Sequence, residues 1–581
     1  MNSIQLLEVI RLTSQHRECT DEFRLRKQQA KAIVKSKMKE IEIRMEVQKF
    51  DMVIVGAGFA GLYQLYQARK KGLSARVLEA GDGVGGTWFW NRYPGARCDV
   101  ESLDYSYSFS PELEQEWNWS ERYAPQEEIL LYINHVADRF NLRPDIELNA
   151  RVQSAVFDEQ STSWNIRAEN GRSLNATYLV MATGGLSIPQ QPDLNALDRF
   201  RGKWYHSAQW PKEGVDFKGK RVALIGTGSS GVQMIPVIAD EASQLTVFQR
   251  SANFSVPAHN VAFTEKALKA AKSRYPERRA MGREAVTGQF LNANTKTAAE
   301  MTPEEQIAEL EYRWKGAGGG FRMLRNFADQ MSNPETNKMV ADFVKSKIRH
   351  IVKDPLKADL LCPKDDLPFG GKRLSVDSRY YETFNRDNVD LVDLKTQPIV
   401  EATEKGLRTS ERDLEFDMIV FATGFDALTG ALMAIDIRGE AGISLRDKWK
   451  DGPVAYLGLG IAGFPNMFTI TGPGSPSVLS NVVHSIETHV DWIMRFLDQV
   501  RSKGIQKFQP TSKAEESWVK FCADEANKTL YPRANSWYMG ANIEGKPRVF
   551  LAFVSGVPVY RKFIEKVEAE GYTGFEFSFN S

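Results

Sequence analysis

The sequence has 581 residues, of which 42% are hydrophobic and 26% are charged, and its formal net charge is +1. A chain of this length exceeds what one hydrophobic core supports, so two or three domains are expected. A nearly neutral chain has no general attraction for nucleic acid or for anionic membranes, so we expect neither as a partner.

Cysteine and histidine spacing argues against metal and thiol chemistry. The four cysteines lie far apart and form no Cys-x-x-Cys pair, so neither a disulfide framework nor a redox pair is expected. The seven histidines show no metal-ligand spacing, so no bound metal is expected. The sequence has no run of about 18 apolar residues and no signal-like start, which favours a cytoplasmic protein without a membrane span.

Residues 1–49 read as a basic N-terminal extension. Val34, Met38, Ile41 and Met45 recur at helical spacing and predict one apolar stripe on a helix. We expect this helix to lie on the main body of the protein. A helix that docks on a membrane surface or on a partner is the alternative.

The first dinucleotide-binding signature follows a buried strand and opens an apolar helix. It is a Gly-x-Gly-x-x-Gly sequence formed by Gly56, Gly58 and Gly61, with Ala60 inside it. These glycines permit a tight turn and a close approach of the backbone to a pyrophosphate at the helix N-terminus. The next strand ends at Glu79, 21 residues after Gly58, where an acid accepts hydrogen bonds from a ribose.

Residues 85–102 are too aromatic for a plain solvent loop. Two tryptophans, a tyrosine and two arginines stand beside an acid, which suits a platform for flat cofactor rings. A buried aromatic loop that only stabilises the fold is the alternative.

Two Ala-Thr-Gly sequences, at residues 182–184 and 422–424, each end a predicted strand. Small residues at a strand end let the backbone pass close to a nucleotide. The two copies flank the second nucleotide motif. We therefore expect the chain to leave the first domain near residue 190 and to re-enter it near residue 385.

The second dinucleotide-binding signature also follows an apolar strand. Its consecutive residues are Gly226, Thr227, Gly228, Ser229, Ser230 and Gly231. The next strand ends at Arg250, 22 residues after Gly228, where the first unit has an acid. A cation there favours the 2′-phosphate of NADP over NAD. A surface arginine at a strand end is the alternative.

Three later segments carry further hypotheses. Residues 260–350 read as helices, and the glycine-rich residues 314–321 within them could hinge a lid or form a simple interhelical loop.

Lys372 and Arg373 follow a pair of glycines and could place two cations near a phosphate and a ring, or form a basic surface turn. Near the C-terminus, Ser480 or Asn481 is expected to cap a helix whose N-terminal end carries partial positive charge.

Between the two signatures, the chain carries one further pattern. It is Phe-x-Gly-x-x-x-His-x-x-x-Trp-Pro, formed by Phe200, Gly202, His206, Trp210 and Pro211. This pattern resembles the fingerprint of type I Baeyer–Villiger monooxygenases, the flavoproteins that include cyclohexanone and phenylacetone monooxygenases. The resemblance covers nearly everything from residue 50 onward.

The resemblance implies an α/β fold with two Rossmann-like dinucleotide-binding domains, for FAD and NADP, and a helical insertion. After the extension at residues 1–49, residues 50–190 would form the first part of the FAD domain. Residues 191–384 would form the linker and the NADP domain, with the insertion at about 260–350. Residues 385–581 would complete the FAD domain.

The motifs and the resemblance together assign the site residues. For FAD they are Gly56, Gly58, Ala60, Gly61, Glu79, Thr87, Trp88, Asp99, Tyr105, Val152 and Val482. For NADP they are Arg97, Thr227, Gly228, Ser229, Ser230, Gly231, Gln233, Arg250, Ser251, Lys372, Arg373 and Trp537. Arg373 would be catalytic and would stabilise an anionic peroxide, and Asp99 would orient it and keep it ionised. His206 is expected to position domains rather than to transfer protons.

The implied reaction inserts one oxygen atom of O2 next to a ketone carbonyl, through a C4a-peroxyflavin, and gives an ester or lactone. The partners would be the ketone, O2, FAD and NADPH, and the protein would be a monomer or a weak homo-oligomer. One alternative is a related flavin monooxygenase that acts on nitrogen or sulfur. Another is a non-catalytic NADP-binding redox sensor.

Overall fold

The computed structural model of the chain describes residues 47–316 and 319–579. The helix predicted from the stripe at residues 34–45 lies outside the described residues. The first strand begins at Gln48, just inside the end of the segment that the sequence predicts as an N-terminal extension.

Strands in the described residues are numbered in chain order. They are β1 Gln48–Val55, β2 Ala75–Leu78, β3 Ile146–Glu147, β4 Val152–Asp158, β5 Ser163–Ala168, β6 Ser173–Met181, β7 Lys203–His206, β8 Arg221–Ile225, β9 Gln244–Gln249, β10 Ser255–Pro257, β11 Ser375–Asp377, β12 Val389–Asp393, β13 Ile399–Thr403, β14 Gly406–Thr409, β15 Asp413–Glu415, β16 Met418–Phe421, β17 Asp436–Arg438, β18 Met467–Thr469, β19 Ile505–Pro510 and β20 Phe575–Phe579.

The α-helices of the same residues are α1 Phe59–Lys70, α2 Thr87–Trp90, α3 Pro111–Glu116, α4 Gln126–Arg139, α5 Ser229–Glu241, α6 Glu265–Ser273, α7 Tyr275–Glu284, α8 Pro303–Glu311, α9 Pro334–Ile351, α10 Pro355–Leu361, α11 Tyr380–Thr383, α12 Gly430–Ala434, α13 Leu445–Lys448, α14 Val482–Ser502, α15 Ser512–Asn527 and α16 Val557–Ala569. Shorter 3₁₀ segments include Gly320–Arg325, Ser477–Leu479 and Trp537–Met539. No helix in the described ranges combines the length and the apolar character that crossing a bilayer requires.

The first sheet has the strand order β17-β4-β5-β6-β1-β2-β3, and β18 also pairs with β6. Strands β6, β1, β2 and β3 are parallel, as a doubly wound α/β fold requires. The four last residues of β1 are buried because helices and loops cover both faces of a parallel sheet. Strands β4, β5 and β6 form an antiparallel meander.

The second sheet repeats this plan with the order β12-β9-β8-β16-β7, and all its strands are parallel. A separate antiparallel meander of β13, β14 and β15 precedes β16, as β4 and β5 precede β6 in the first unit. Each unit therefore begins with a βαβ motif that contains the glycine turn. Antiparallel strands follow, and then a last strand that pairs in parallel with the first strand of the unit. The predicted α/β fold with two Rossmann-like units is confirmed. The predicted helical insertion corresponds to α6 to α9.

The expected return to the first domain near residue 385 needs correction. Strands β12 and β16, which follow that residue, lie in the second sheet, and the chain rejoins the first sheet only at β17. The second Ala-Thr-Gly therefore ends a strand of the second unit rather than a strand of the first. The sequence analysis placed the return to the first domain too early because each unit ends in a similar strand followed by Ala-Thr-Gly.

The chain crosses between the two sheets twice, at residues 182–202 and 422–435, and the two crossings pair with each other. The Gln190 amide donates to the Gly424 carbonyl, and the Asp426 amide donates to the Ile188 carbonyl, each at 2.9 Å. Pro189 and Phe425 form an antiparallel bridge between them. The two connections thus run side by side beneath the space between the sheets.

Candidate active site

One cavity of 1910 Å³ lies between the two sheets, at the carboxyl ends of β1 and β8. Both glycine turns, both Ala-Thr-Gly sequences and the aromatic loop at residues 85–102 contribute to its walls. Ordinary ligand pockets measure about 300–1,000 Å³. A cavity of this size has room for two dinucleotides end to end.

The first glycine turn packs too closely on its neighbours for any side chain. Gly56 has φ +106°, and a methyl group there would lie 2.6 Å from the Ala182 carbonyl oxygen. A methyl group at Gly61 would lie 1.8 Å from the Gly56 carbonyl oxygen. Helix α1 has no side-chain cap at Gly58, so its first N–H groups remain available to a phosphate. The backbone of the first Ala-Thr-Gly therefore packs directly against the glycine turn. We call this turn, together with the N-terminal N–H groups of α1, the first cradle.

The second glycine turn repeats this packing. Gly226 has φ +112°, and a methyl group there would meet the Ala422 carbonyl oxygen at 2.5 Å. A methyl group at Gly231 would lie 2.1 Å from the Gly226 carbonyl oxygen. Helix α5 likewise lacks a side-chain cap at Gly228. The cavity thus contains two equivalent anion-binding cradles. Thr227, Ser229 and Ser230 also line it.

Glu79 lies at the end of the first unit's second strand, as predicted, but its carboxylate is also engaged within the protein. One oxygen accepts from the Ala57 amide and the other accepts from the Gly81 amide, both at 2.7 Å. Burial raises the pKa of Glu79, and these amides oppose that rise. Glu79 therefore braces the glycine turn while its remaining lone pairs face the cavity.

The aromatic loop contributes Thr87 and Trp88 on the short helix α2, and both line the cavity. The Trp88 indole N–H donates to the Tyr105 hydroxyl at 3.1 Å, and the two rings meet edge to face. Val152 and Val482 lie on the cavity wall from β4 and α14. The residues predicted for FAD thus line the cavity, except Gly61, which packs against the Gly56 carbonyl behind the turn.

Gln233 and Arg97, both predicted to hold NADP, also form side-chain hydrogen bonds within the protein. The Gln233 amide group donates to the Arg97 carbonyl oxygen at 3.0 Å and accepts from the Tyr93 hydroxyl at 2.9 Å. The Arg97 guanidinium donates to the Glu121 carboxylate and to the Tyr123 carbonyl. Both side chains line the cavity. Their contacts clamp the aromatic loop of the first unit onto helix α5 of the second.

Cations gather at the end of β9, where the sequence predicts the 2′-phosphate. Arg250 and Lys395 both lower the pKa of Lys372, although burial is the larger cause. None of the three cations forms an ion pair with a carboxylate in the described residues, and all three line the cavity beside Ser251. Like charges that converge without a counterion are stabilised when an anion binds.

Arg373 and Asp99 meet in the cavity although 274 residues separate them. The guanidinium Nε donates to Asp99 Oδ2 at 2.9 Å, and Nη2 donates to Oδ1 at 2.7 Å. The remaining nitrogen donates to the Val478 carbonyl. Burial lowers the pKa of Arg373, but Asp99 and Tyr538 outweigh burial and raise it overall. The guanidinium is therefore a fixed positive charge at every pH that the protein encounters.

Two aromatic residues around Arg373 escaped the sequence analysis. The Phe321 ring lies under the guanidinium, 4.6 Å from its central carbon. Tyr538 lies close enough to Arg373 to influence its pKa, and it neighbours Trp537, which lines the cavity as predicted. Phe321 adjoins the glycine-rich stretch at residues 314–321, and only its contact with Arg373 distinguishes it from an ordinary core phenylalanine.

A buried carboxylate two residues after Asp99 joins the loop that carries Asp99 to the helical insertion. Three arginines donate to Glu101, namely Arg122 from Nε (3.0 Å) and Nη2 (2.7 Å), Arg278 from Nη2 (2.9 Å) and Arg322. Burial alone would raise the pKa of Glu101, but the three cations lower it to about 2. Arg322 is next to Phe321, which packs on Arg373. Glu101 therefore links the loop that carries Asp99 to the segment that covers Arg373.

The fingerprint residues of the linker pack rather than line the cavity. A methyl group at Gly202 would lie 2.4 Å from the Phe200 ring and 2.5 Å from the Asp417 carbonyl oxygen. Trp210 is buried and is followed by the half-buried Pro211. The fingerprint residues therefore pack the linker against the second sheet.

His206 connects the linker to the second Ala-Thr-Gly. Its Nδ1 accepts from the Ala208 amide at 3.1 Å, and its Nε2 lies 3.0 Å from the Thr423 hydroxyl. That hydroxyl donates to the Gln190 carbonyl at 2.9 Å, so Nε2 carries the proton of a neutral imidazole. Burial lowers the pKa of His206. These contacts support the predicted positioning role.

The predicted cap of the C-terminal helix is Asn481. Its side chain accepts from the Val483 amide at 3.2 Å and donates to the Asp104 carbonyl at 2.7 Å. Helix α14 thus starts at the cavity, where Val482 and Ile486 line the wall. The N-terminal end of the helix carries partial positive charge toward that space.

Comparison with known proteins agrees with this geometry. A family profile of pyridine nucleotide-disulphide oxidoreductases matches residues 53–293. A Baeyer–Villiger monooxygenase from Pseudooceanicola batsensis is 41% identical over 526 residues, which cover 90% of this chain and 95% of that protein. The chain belongs to the Baeyer–Villiger monooxygenases. The predicted resemblance is confirmed.

Further relatives in this family show its range. A phenazine N-monooxygenase from Lysobacter antibioticus is 40% identical over 529 residues, covering 90% of this chain and 96% of that protein. The solved structure of an oxidised steroid monooxygenase bound to NADP is 50% identical, with TM-score 0.88 over 92% of this chain and 100% of that one. The OTEMO complex with FAD and NADP is 40% identical, with TM-score 0.88 over 91% of this chain and 99% of that one.

Proposed function

We propose that this monooxygenase binds FAD in the first cradle and NADPH in the second, and that it converts a ketone into an ester or lactone. One atom of O2 enters between the carbonyl carbon and its neighbour. The other leaves as water, and NADPH with one proton supplies the two electrons and the hydrogen. The Arg373–Asp99 pair, held in one cavity with two dinucleotide cradles, is the observation that carries the proposal.

The residues of each half fit their proposed cofactor. The first cradle combines uncapped N–H groups with Glu79 for a ribose and with the Trp88 loop for flat rings. The second cradle combines uncapped N–H groups with Arg250 and Lys372, neither of which forms an ion pair within the described residues. FAD, when bound, supplies the chemistry that activates O2, and NADPH supplies the electrons.

Arg373 would stabilise the negative charge that develops on oxygen when the ketone carbonyl is attacked. Its side chain is only 22% exposed, so water screens its charge only in part. Asp99 holds two of its nitrogens and fixes the direction of the third. Phe321 covers one face of the guanidinium and keeps water from it. A preorganised charge of this kind contributes about 3–4 kcal/mol to a transition state.

We also propose a cytoplasmic location and a monomer or weak homo-oligomer, as expected from the sequence. Oxygen transfer to a nitrogen atom is the second candidate function, because one relative of this chain is a phenazine N-monooxygenase.

Incubation of the purified yellow holoenzyme with NADPH, 18O2 and one substrate at a time tests the proposal. The substrates are cyclohexanone, acetophenone and phenazine, and mass spectrometry of the products is the measurement. We expect an ester or lactone that carries a single 18O atom from at least one ketone. Formation of phenazine N-oxide alone would favour the second function. NADPH oxidation that yields only hydrogen peroxide with all three substrates would contradict both.

A further inference from the structure

Three cavity-lining residues in the described part of the chain carry a buried side-chain oxygen that has no hydrogen-bond partner. They are Gln249, Ser536 and Asn542. Leaving a buried polar atom unpaired costs free energy, and a bound ligand can supply the missing hydrogen bond. Unpaired oxygens on a cavity wall therefore indicate where a ligand is held.

Ser536 shows this most clearly. The residue is only 3% exposed. Its backbone amide donates to the Ala534 carbonyl, and its carbonyl accepts from the amides of Met539 and Ala541. These bonds fix the position of Ser536 and use its whole backbone. A serine hydroxyl can donate one hydrogen bond and accept two, and this one does neither within the described residues.

Asn542 is oriented by a hydrogen bond to the second of the two crossings between the sheets. Its Nδ2 donates to the Phe425 carbonyl oxygen at 2.8 Å. Since a carbonyl oxygen can only accept, this bond fixes which end of the amide faces Phe425 and leaves Oδ1 as an acceptor without a donor. Ser536 and Asn542 thus add one hydroxyl and one acceptor oxygen to the cavity wall.

Both residues belong to residues 534–542, which we call the C-terminal segment. At its start, Ala534 packs on the loop that carries Arg373, because a methyl group at Gly371 would lie 3.0 Å from the Ala534 Cβ. At its end, the segment is bonded to Phe425, which directly follows the second Ala-Thr-Gly. The second glycine turn packs on that same Ala-Thr-Gly. The C-terminal segment therefore lies beside the second cradle.

The strand order of the second sheet shows which part of a dinucleotide would meet the C-terminal segment. Strand β8, which leads into the second cradle, lies between β9 and β16. Arg250, predicted to hold the 2′-phosphate of the adenosine half, follows β9, and Phe425 lies shortly after β16. A dinucleotide whose pyrophosphate lies in the cradle therefore extends its nicotinamide half toward β16 and the C-terminal segment.

We propose that Ser536 and Asn542 hydrogen-bond the nicotinamide nucleoside of NADP(H) in the second cradle. This inference rests on the proposed function and specifies residues of its second site. A hydroxyl that donates, together with an amide oxygen that accepts, suits a ribose hydroxyl or a carboxamide, and the nicotinamide nucleoside carries both. A phosphate group does not suit the pair, because Asn542 Oδ1 would repel it.

Calorimetric titration of the FAD-loaded protein with NADP⁺ tests the inference. Ser536→Ala should raise the Kd of NADP⁺ by about twofold to tenfold, because one hydrogen bond to the ligand is lost. Without NADP⁺, the Tm of the same variant should equal or exceed that of wild type, because only an unpaired hydroxyl is removed. Wild-type affinity in Ser536→Ala would overturn the inference. A lowered Tm with unchanged affinity would do so too, by showing a structural role instead.

Ser207→Ala is the matched control. The Ser207 hydroxyl is also buried and unpaired, but Ser207 does not line the cavity. This variant should bind NADP⁺ as wild type does. An equal rise of Kd in Ser207→Ala would overturn the inference, since removal of any buried serine hydroxyl would then have the same effect.

Asn542→Ala examines the second residue of the pair. It should raise the Kd of NADP⁺ by a similar factor, and it should also lower the Tm of the free protein because it breaks the bond to Phe425. The titration measures affinity directly, so the loss of stability does not obscure the result. Wild-type affinity in Asn542→Ala would overturn the role of Asn542.

Comparison of NADPH with NADH locates the contact on the nucleotide. In Ser536→Ala, the concentration that half-saturates anaerobic bleaching of the flavin should rise by the same factor for both, because both carry the nicotinamide nucleoside. A rise confined to NADPH would place the contact at the 2′-phosphate and overturn the inference. A raised KM for the ketone with unchanged NADP⁺ affinity would overturn it as well.

The two proposals fail in different ways in these experiments. If wild type and Ser536→Ala bind NADP⁺ equally well, only the assignment of Ser536 is wrong. If NADP⁺ binds to neither wild type nor the variants, the second site of the proposed function is itself contradicted.

Discussion

The Arg373 guanidinium faces the Asp99 carboxylate along two parallel hydrogen bonds of 2.9 Å and 2.7 Å. Such a two-pronged pair fixes both the position and the plane of the guanidinium. Glycine cradles for two dinucleotides open into the same cavity. A fixed charge is therefore held where two cofactors would meet.

Arg373→Ala should still oxidise NADPH but should lose ester formation by about 10²–10³ in rate, because a preorganised charge is lost at the reacting oxygen. Arg373→Lys should recover little, since an ammonium cannot make the two parallel bonds to Asp99. Product yield per NADPH consumed is the measurement. Wild-type yield from Arg373→Ala would show that Arg373 plays another part.

Glu101→Gln should destabilise the protein by about 3–5 kcal/mol, because it leaves three arginines around a neutral amide. It should also lower the ester yield per NADPH, since Phe321 and the Asp99 loop lose their common anchor. Urea unfolding and product yield measure the two effects. Glu404→Gln, which breaks an exposed pair with Arg201, should change stability by less than about 1 kcal/mol. An equal loss in both variants would refute the role of burial.

Arg250→Ala should raise KM for NADPH by roughly tenfold to a hundredfold and should leave KM for NADH nearly unchanged, because only NADPH carries the 2′-phosphate. Steady-state kinetics with both nucleotides checks this. The exposed Arg199 is a suitable control arginine. Similar effects of Arg250→Ala on both nucleotides would contradict the assignment.

Two buried carboxyl groups predict a pH dependence of stability. Burial raises the pKa of Asp377 from 3.8 to about 7, against hydrogen bonds from Ser255 and Tyr380, and raises that of Glu487 from 4.5 to about 7. A folded-state pKa above the unfolded value favours the protonated form. The contribution of each protonated carboxyl group to stability is complete below its unfolded-state pKa and is lost as pH rises to about 7. Between these pH values, the two groups should lower the free energy of unfolding of the protein.

Asp377→Asn imitates the protonated form and isolates this effect. Its free energy of unfolding should exceed that of wild type by an amount that grows between pH 5 and about pH 7 and is constant above that. Urea unfolding at several pH values is the measurement. The buried histidines His484 and His489 titrate alike in both proteins, so their contribution cancels. A variant less stable than wild type at pH 8 would contradict the raised pKa.

Gly202→Ala should destabilise the linker, because its methyl group would overlap the Phe200 ring and the Asp417 carbonyl oxygen. Its φ is not in the left-handed region, so the effect would come from the clash rather than from backbone strain. Gly282→Ala is the matched control, since its methyl group would have no neighbour closer than 3.5 Å in helix α7. Thermal unfolding should separate the two variants by several degrees.

The sequence predicted the two nucleotide units well because each depends on local chemistry. Glycine spacing, an acid or arginine at the next strand end, and Ala-Thr-Gly all act within a few residues of the turn they support. Asn481 was predictable as a cap for the same reason. The pairing of Asp99 with Arg373 came from the family resemblance, since no local pattern relates residues 274 positions apart.

Contacts across elements were not predictable from one sequence. In the sequence, Glu101 has no feature that distinguishes it from other acids, and only the fold shows that three arginines from distant segments donate to it. Gln233 was assigned to a cofactor, yet its amide bridges Tyr93 and Arg97. Partner choice among polar side chains depends on tertiary packing, which residue spacing does not encode. The predicted return to the first domain near residue 385 was wrong because both units end in a strand followed by Ala-Thr-Gly.

The paired crossings have a mechanical consequence. Strand β7 belongs to the second sheet, so the fingerprint residues travel with that sheet as one block. The hydrogen bonds that join Ile188–Gln190 to Gly424–Asp426 tie the two connections to each other. We therefore expect a rotation of one sheet relative to the other to bend both connections together, and His206, which contacts Thr423, lies beside the place where they would bend.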